Sequence, residues 1–456
     1  MDHIEQKILE IIDKNAEKII AFGDDIWHHA ELGYQEFRTA GKFRDEMKTL
    51  GLETEEGIAV TGVKSYLKEK KEDELCIALM GEFDALPFPG HADVNPETGA
   101  AHCCGHNAQI TGVMGAALAL TDPEITEALG GNVAFMGVPS EEGSTAPEVK
   151  EQLMEERKIR YLGGKSEFIR VGAMDDIALT VGHHIMGDGN EYFVMNAPSM
   201  GFIHKNMKFS GKLTHPAFVH SAVDTQAAAV LAMQLINAQR EGLEHFYAWN
   251  KYILHGVITN GGAASNVIVD HTGLSYEIRG KTAATMQDVA YRVDRAVKAA
   301  AMATGAGLEM QNSSGYMPIV PVKDASIVEE VFRIVDPEQK HPIVRYGADD
   351  AAGTTDFGDL SCIMPVIQFN TGGHNGVMCH LVEFNVADPY EYYVVPAKCF
   401  ALMAYRLLKD GGKRAKELIA ENKPLMTKEE YLEVMESFRS SMNIEMTPVP
   451  SFGLVD

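Results

Sequence analysis

Residues 101–109 read AHCCGHNAQ, which crowds His102, Cys103, Cys104 and His106 into a few positions. So many soft donor atoms suit three chemistries: disulfide formation, thiol catalysis or metal binding. Cys104 and His106 stand two apart, so an extended backbone points both the same way, and Gly105 between them permits an unusual bend. A thiolate beside an imidazole suits zinc, manganese-like or other transition ions better than calcium. Three further apolar stretches run out into donor residues. PSEEGS carries Glu141 and Glu142, IALTVGHHIMG carries His183 and His184, and GGHNGVMCHLVEFNVADP carries His374 and His380. Adjacent carboxylates repel, so a counter-charge is expected beside Glu141 and Glu142. A metal supplies that charge, with one carboxylate bound and the other left to accept a proton from activated water. Taken singly, each pair is more simply a surface carboxylate or a structural histidine. Four clusters at strand ends, converging on one edge, point to a metal site.

The elements that must position these residues are legible as a pattern. LCIALMGEFDALP (75–87) and GNVAFMGVPSEEGS (131–144) are short apolar strands ending in polar residues, with a helical stretch, AQITGVMGAALALTD, between them. Continuous apolar strands alternating with helices predict an α/β unit with a buried sheet, whose ligands collect beyond the carboxyl ends of the strands. Asp84, Glu141 and Glu142 lie at such ends. SCIMPVIQFNTGG adds another buried strand and PAKCFALMAYRLLKD a packing helix. From 198 to 312 the order changes to strand, helix, strand, strand, helix, which predicts a small α+β sandwich. The expected fold class is therefore α/β: a mostly parallel central sheet with helices on both faces. Residues 1–197 and 313–456 form this discontinuous catalytic domain, and residues 198–312 form an inserted lid or dimerisation domain. At the amino terminus, Ile4, Ile8, Ile11, Ile12, Ile19 and Phe22 fall on one stripe of a helix.

Composition narrows the function. The chain has 456 residues, 45% hydrophobic and 23% charged, in keeping with a folded globular protein. A formal charge of −25 with no basic block disfavours nucleic acid and anionic membrane partners. The longest nearly apolar run, residues 110–120, falls short of the roughly 18 needed to span a bilayer. The amino-terminal stretch has the pattern of an amphipathic helix rather than an export signal, so a cytoplasmic location is expected. The six cysteines are then expected to be reduced, and they contain no CxxC pair for a structural zinc site.

GEFDALP, CCGHN, GVPSEEGS, GHHIMG, SGKLTH, SNVIVD and CHLVEFNVADP occur in that order between Trp27 and Leu408. Together they resemble metallopeptidase family 20, in its aminoacylase, hippurate-hydrolase and aminobenzoyl-glutamate-hydrolase branch, subfamily D. The resemblance implies two divalent ions per subunit, manganese foremost and zinc, cobalt or nickel as alternatives. It implies metal ligands at Cys104, His106, Glu142, His184 and His380, and Glu141 as the general base. His183 then becomes a neighbour of the ligands, and His374 structural or substrate-facing. From the inserted domain it implies His215 and Asn266 at the oxyanion and Arg279 on a substrate carboxylate. Those types suit the work, since imidazole and amide donate to developing charge and a guanidinium forks onto a carboxylate. It also implies a homodimer or higher homo-oligomer formed through that domain. The expected activity is hydrolysis of an N-acyl amino acid, an aminobenzoyl-glutamate-like compound or a dipeptide. Its rivals are a dipeptidase or carboxypeptidase of the same fold, a thiol hydrolase using Cys104, and a non-catalytic metal-dependent binding protein.

Three departures from the family pattern stand out. Asn107 stands where many members of the resembled family carry aspartate, Gln109 where they often carry another histidine, and residues 148–168 are longer than usual and are expected to add a helix that reshapes specificity. His28, His29, Asp84 and Asp356 are expected to be supports or turn residues rather than ligands.

Overall fold

A computed structural model describes residues 1–247, 252–346 and 353–447. Its contacts divide the chain into two units. The first contains Met1–Pro198 and Thr355–Lys428, with residues 319–346 between them. The second contains Ser199–Pro318 and the residues from Glu429 onward.

The first unit is built on an eight-stranded sheet. Its order is Glu53–Ile58, Gly62–Tyr66, Asn132–Val138, Cys76–Glu82, Leu179–Ile185, Val366–Thr371, Tyr192–Met195 and Ile343–Tyr346. The four central strands, from Asn132–Val138 to Val366–Thr371, run parallel. Antiparallel pairings enter toward the edges. Cys76–Glu82 and Asn132–Val138 are buried along their whole length, which is why their sequences are apolar without alternation. Helix His106–Leu120 is buried on nearly every side and lies against Cys76–Glu82 and helix Val395–Glu421. Gly81 permits the close approach, because a Cβ there would stand 2.8 Å from the backbone of Ile110. The carboxyl end of Cys76–Glu82 and the amino end of this helix are thereby brought together.

The amino-terminal stripe is two helices rather than one, His3–Lys14 and Ala16–His28. Asn15 leaves helical geometry at φ −101° and ψ 9°, and its side-chain amide donates to the Ile11 carbonyl at 2.8 Å. Ile8, Ile12, Ile19 and Phe22 still reach the core. The stretch 148–168 spans the helix Pro147–Glu155 and the start of a second helix, Gly164–Val171.

Asp176, ahead of strand Leu179–Ile185, fastens the edge of this sheet. It accepts from Lys64 Nζ at 2.6 Å and Tyr66 Oη at 2.7 Å, and pairs with Lys70 at 2.9 Å. Burial alone would raise its carboxyl, but Lys64, Tyr66 and Lys70 outweigh burial and bring it from 3.8 down to about 2. A carboxylate lowered on folding stabilises above its unfolded pKa and loses that contribution as pH falls through the folded value. The contribution is about 2 kcal/mol at neutral pH. Asp176→Asn should therefore flatten the stability curve between about pH 4 and 2, read by urea unfolding at a series of pH values. An unchanged slope would exclude this role.

The second unit has a five-stranded antiparallel sheet in the order Tyr252–Asn260, His271–Gly280, Gly201–Ser210, Gly307–Ser314 and Ser441–Ile444. Helices Thr225–Asn237 and Ala283–Thr304 pack on it, and Lys205 of the sheet pairs with Asp294 of the second helix at 2.6 Å. The carboxyl-terminal residues from Glu429 group here, whereas the sequence reading left them with the catalytic part. The reason is a strand addition, in which Ser441–Ile444 pairs with Gly307–Ser314 at a free sheet edge. Among the described residues no helix is long and apolar enough to cross a membrane.

Candidate metal centre

The donors gather where the parallel strands end. Glu82 closes strand Cys76–Glu82, with Asp84 two residues on. Glu141 and Glu142 follow Asn132–Val138 through Ser140, a non-glycine residue at φ 49°. His184 lies near the end of Leu179–Ile185, and His380, at φ 68°, in the loop after Val366–Thr371. Gly105 turns the chain between Cys104 and His106 at φ 104°, where a Cβ would meet Ile185 at 2.8 Å. Left-handed backbone at two non-glycine residues beside one cluster is strain that the surrounding fold must hold.

Three groups of donor atoms lie within 4.8 Å of one another: Cys104, His106 and His184; Cys104, Glu142 and His380; and Glu82, His106 and Glu141. All five ligands implied by the resemblance, and the implied base Glu141, are therefore together. Two of the imidazoles are oriented from behind. His106 Nδ1 faces the Asp84 carbonyl at 2.9 Å and carboxylate at 3.1 Å, and His184 Nδ1 faces the Ile185 carbonyl at 2.7 Å. Their Nε2 atoms consequently point inward as acceptors. His184 Nε2 is 3.3 Å and His380 Nε2 3.2 Å from Cys104 Sγ. Asp84 also accepts from the Glu142 backbone at 2.8 Å, so one carboxylate orients two of the donors.

The arrangement fits a cation. His106 Nε2 lies 3.0, 3.8 and 3.9 Å from Glu82, Glu141 and Glu142, yet neither it nor Glu142 Oε1 has a well-formed hydrogen bond. A nitrogen lone pair turned toward three carboxylates is unfavourable unless positive charge lies between them. Thiol, imidazole and carboxylate together are a transition-ion donor set.

Strand alternation separates the histidine pair. His183 is buried on the opposite side, its ring between Phe369 and Phe400 and its Nε2 2.8 Å from Thr371 Oγ1. His374 stacks on Phe384, while His28 and His29 are exposed and bonded to backbone carbonyls of their own helix. Asn107 is held between two tyrosines, donating to Tyr393 Oη at 3.0 Å and accepting from Tyr392 Oη at 3.3 Å, a pairing that a neutral amide satisfies at both ends.

Two buried residues escaped the sequence reading, Glu82 and Lys165. Gln109 donates to Glu82 at 2.6 Å, and the Lys165 ammonium bridges Glu82 and Asp356. Burial works against the Glu82 carboxylate, but Lys165 and His106 prevail and hold it at about 2. The alternation of GEFDALP placed Glu82 and Asp84 on one side of the chain and was the available signal for the first. Nothing local marks Lys165 as buried.

His215, Asn266 and Arg279 belong to the second unit and to none of these donor groups. His215 is exposed and caps the turn Pro216–Ser221, accepting from Ala217 at 3.1 Å. Asn266 is exposed, and Arg279 pairs with Glu277 and donates to Thr354 at 3.0 Å.

Residues 78–392 match the family described as Peptidase family M20/M25/M40. The Xaa-Arg dipeptidase of Mus musculus is 25% identical over 392 residues, covering 80% of this chain and 79% of that protein. The N-acyl-L-amino acid amidohydrolase of Geobacillus stearothermophilus is 24% identical over 327 residues, covering 69% and 81%. Among solved structures, a Bacillus subtilis dinuclear metal binding peptidase of the M20 family superposes with a TM-score of 0.62 at 21% identity, covering 87% of this chain and 99% of that one. The Klebsiella pneumoniae aminobenzoyl-glutamate utilization protein superposes with a TM-score of 0.61 at 17% identity, covering 87% and 97%. Fold and site together define a metal-dependent hydrolase of amide bonds. The chain belongs to peptidase family M20/M25/M40.

Proposed function

We propose that the chain hydrolyses the amide bond of an N-acyl amino acid, an aminobenzoyl-glutamate-like compound or a dipeptide, releasing a carboxylic acid and an amino acid or amine. The observation that carries the reading is the convergence of His106 and His184, and of Glu142 and His380, as two donor groups that share the Cys104 thiol, beside a His106 Nε2 with no well-formed hydrogen bond. These five residues would hold two divalent ions, manganese foremost. When bound, such ions supply Lewis acidity toward the scissile carbonyl and acidify a water molecule. Glu141 accepts the water proton and returns it to the leaving nitrogen. His215 and Asn266 donate to the oxyanion, and Arg279 holds the substrate carboxylate, exchanging its Glu277 partner for it. The bond to Thr354 keeps the guanidinium oriented during that exchange.

Self-association through the second unit belongs to the same reading. The edge strand Tyr252–Asn260 leaves Ile253, Val257 and Ile258 between 47% and 50% exposed, an apolar edge suited to a second copy.

The test is hydrolysis of a panel of N-acyl amino acids, aminobenzoyl-glutamate and dipeptides by metal-free protein resupplied with manganese, zinc, cobalt or nickel. Exhaustive chelation should abolish activity and readdition restore it, and the same preparation should sediment as a dimer. Activity that survives chelation would exclude the metal reading, and a monomer would exclude the association.

A further inference from the structure

Lys165 is a fully buried cation held between two fully buried carboxylates, Glu82 and Asp356. Asp356 grips it twice, with one oxygen on the ammonium and the other accepting the Lys165 backbone N–H at 3.0 Å. The ammonium also lies 4.1 Å from the centre of the Phe357 ring. Buried ion pairs of this kind add little net stability over an apolar filling, so stability alone does not explain why the chain keeps one here.

Glu82 explains it. One of its oxygens is 3.0 Å from His106 Nε2, and it shares a donor group with His106 and Glu141. By position and chemistry it is a sixth potential ligand. Both of its oxygens are already engaged, however, one by Lys165 and the other by the Gln109 amide at 2.6 Å. The two residues responsible are Gln109, on helix His106–Leu120, and Lys165, near the end of the 148–168 stretch.

We infer that Lys165 is a positioning residue of the metal centre: it is an internal cation that withholds Glu82 from the ions and so keeps the ligand set at Cys104, His106, Glu142, His184 and His380. The inference rests on the metal-binding reading above. Gln109 completes the restraint with a neutral donor, which adds no competing positive charge beside His106.

Two double variants of the full chain separate this role from a structural one. Lys165, Glu82 and Asp356 together carry one net negative charge. Lys165→Met with Asp356→Asn, and Lys165→Met with Glu82→Gln, each retain that charge and differ only in which carboxylate survives. Each metal-free protein is titrated with manganese and zinc against a competing chelator, and its cobalt absorption spectrum is recorded. The variant that keeps Glu82 should bind roughly tenfold more tightly than wild type. Its cobalt d–d bands should weaken as an oxygen ligand is added. The variant that keeps Asp356 should bind no more tightly than wild type, because no ligand has been added. Equal affinities and spectra for the two would overturn the inference. Should either double variant fail to fold, Glu82→Gln alone decides, with Lys165 still paired to Asp356. An affinity loss under about a hundredfold supports withholding, and a larger loss makes Glu82 a ligand and overturns it. Wild-type protein that binds no divalent ion would instead be a failure of the underlying reading, visible before any variant is made.

Discussion

Replacing Glu141 by glutamine is expected to lower kcat about 10²- to 10⁴-fold while leaving the metal content unchanged. The separation follows from how the site divides its carboxylates. Glu82 is tied by Lys165 and Gln109 and held at about 2, so it stays ionised and fully engaged. Glu142 is buried, which opposes its charge, but His380 and His106 bring its carboxyl below the usual value, as suits a ligand. Glu141 is pushed the other way, by burial first and then by the charges of Glu82, Glu142 and Asp356, with His106 opposing. Neighbouring carboxyls driven apart in this manner mark the division between a group that stays charged and one that exchanges a proton. Glutamine keeps the shape and the carbonyl oxygen of Glu141 and removes only its capacity to take a proton. Steady-state kinetics on the best substrate of the panel, with elemental analysis of the same sample, checks both halves. Full activity would remove Glu141 as the base, and loss of metal would make it a ligand.

What was legible in the sequence is what local pattern can carry. Apolar strands that stop at Glu82, Val138 and Ile185 announced a buried sheet, and the donors just beyond them announced the edge where ligands collect. His184 was singled out over His183 by the family resemblance, not by local pattern; alternation only places the two on opposite sides of the strand. Relations spanning long stretches of chain were not legible. Glu82 and Lys165 are 83 positions apart and Lys165 and Asp356 are 191 apart, so no window of sequence shows that the lysine is interior. The break at Asn15 was hidden for a different reason: the isoleucine stripe continues across it, and only the local bond from Asn15 to Ile11 ends the first helix. The placement of Ser441–Ile444 depended on a partner strand, which terminal residues do not advertise.

Cys104→Ala should have the largest effect on metal binding, because the thiol belongs both to the group with His106 and His184 and to the group with Glu142 and His380. Removing it strips a donor from each, so affinity should fall by more than about a hundredfold for both ions, beyond the loss expected for an orienting partner. His184→Ala touches one of these two groups and should leave one ion bound. Elemental analysis after dialysis, with chelator competition, distinguishes the two patterns. The same variant weighs the rival in which Cys104 is a nucleophile: that chemistry predicts an inactive protein with full metal content. The surroundings of the thiol argue against it. A nucleophilic cysteine needs its pKa lowered by nearby positive charge. Cys104 instead has its pKa raised well above the ordinary thiol value, first by its interaction with Cys379, then by burial and the Glu142 carboxylate. A thiol whose neighbours oppose its ionisation is stabilised as a thiolate by a cation beside it. That makes metal ligation, rather than attack on a carbonyl, the chemistry its position selects.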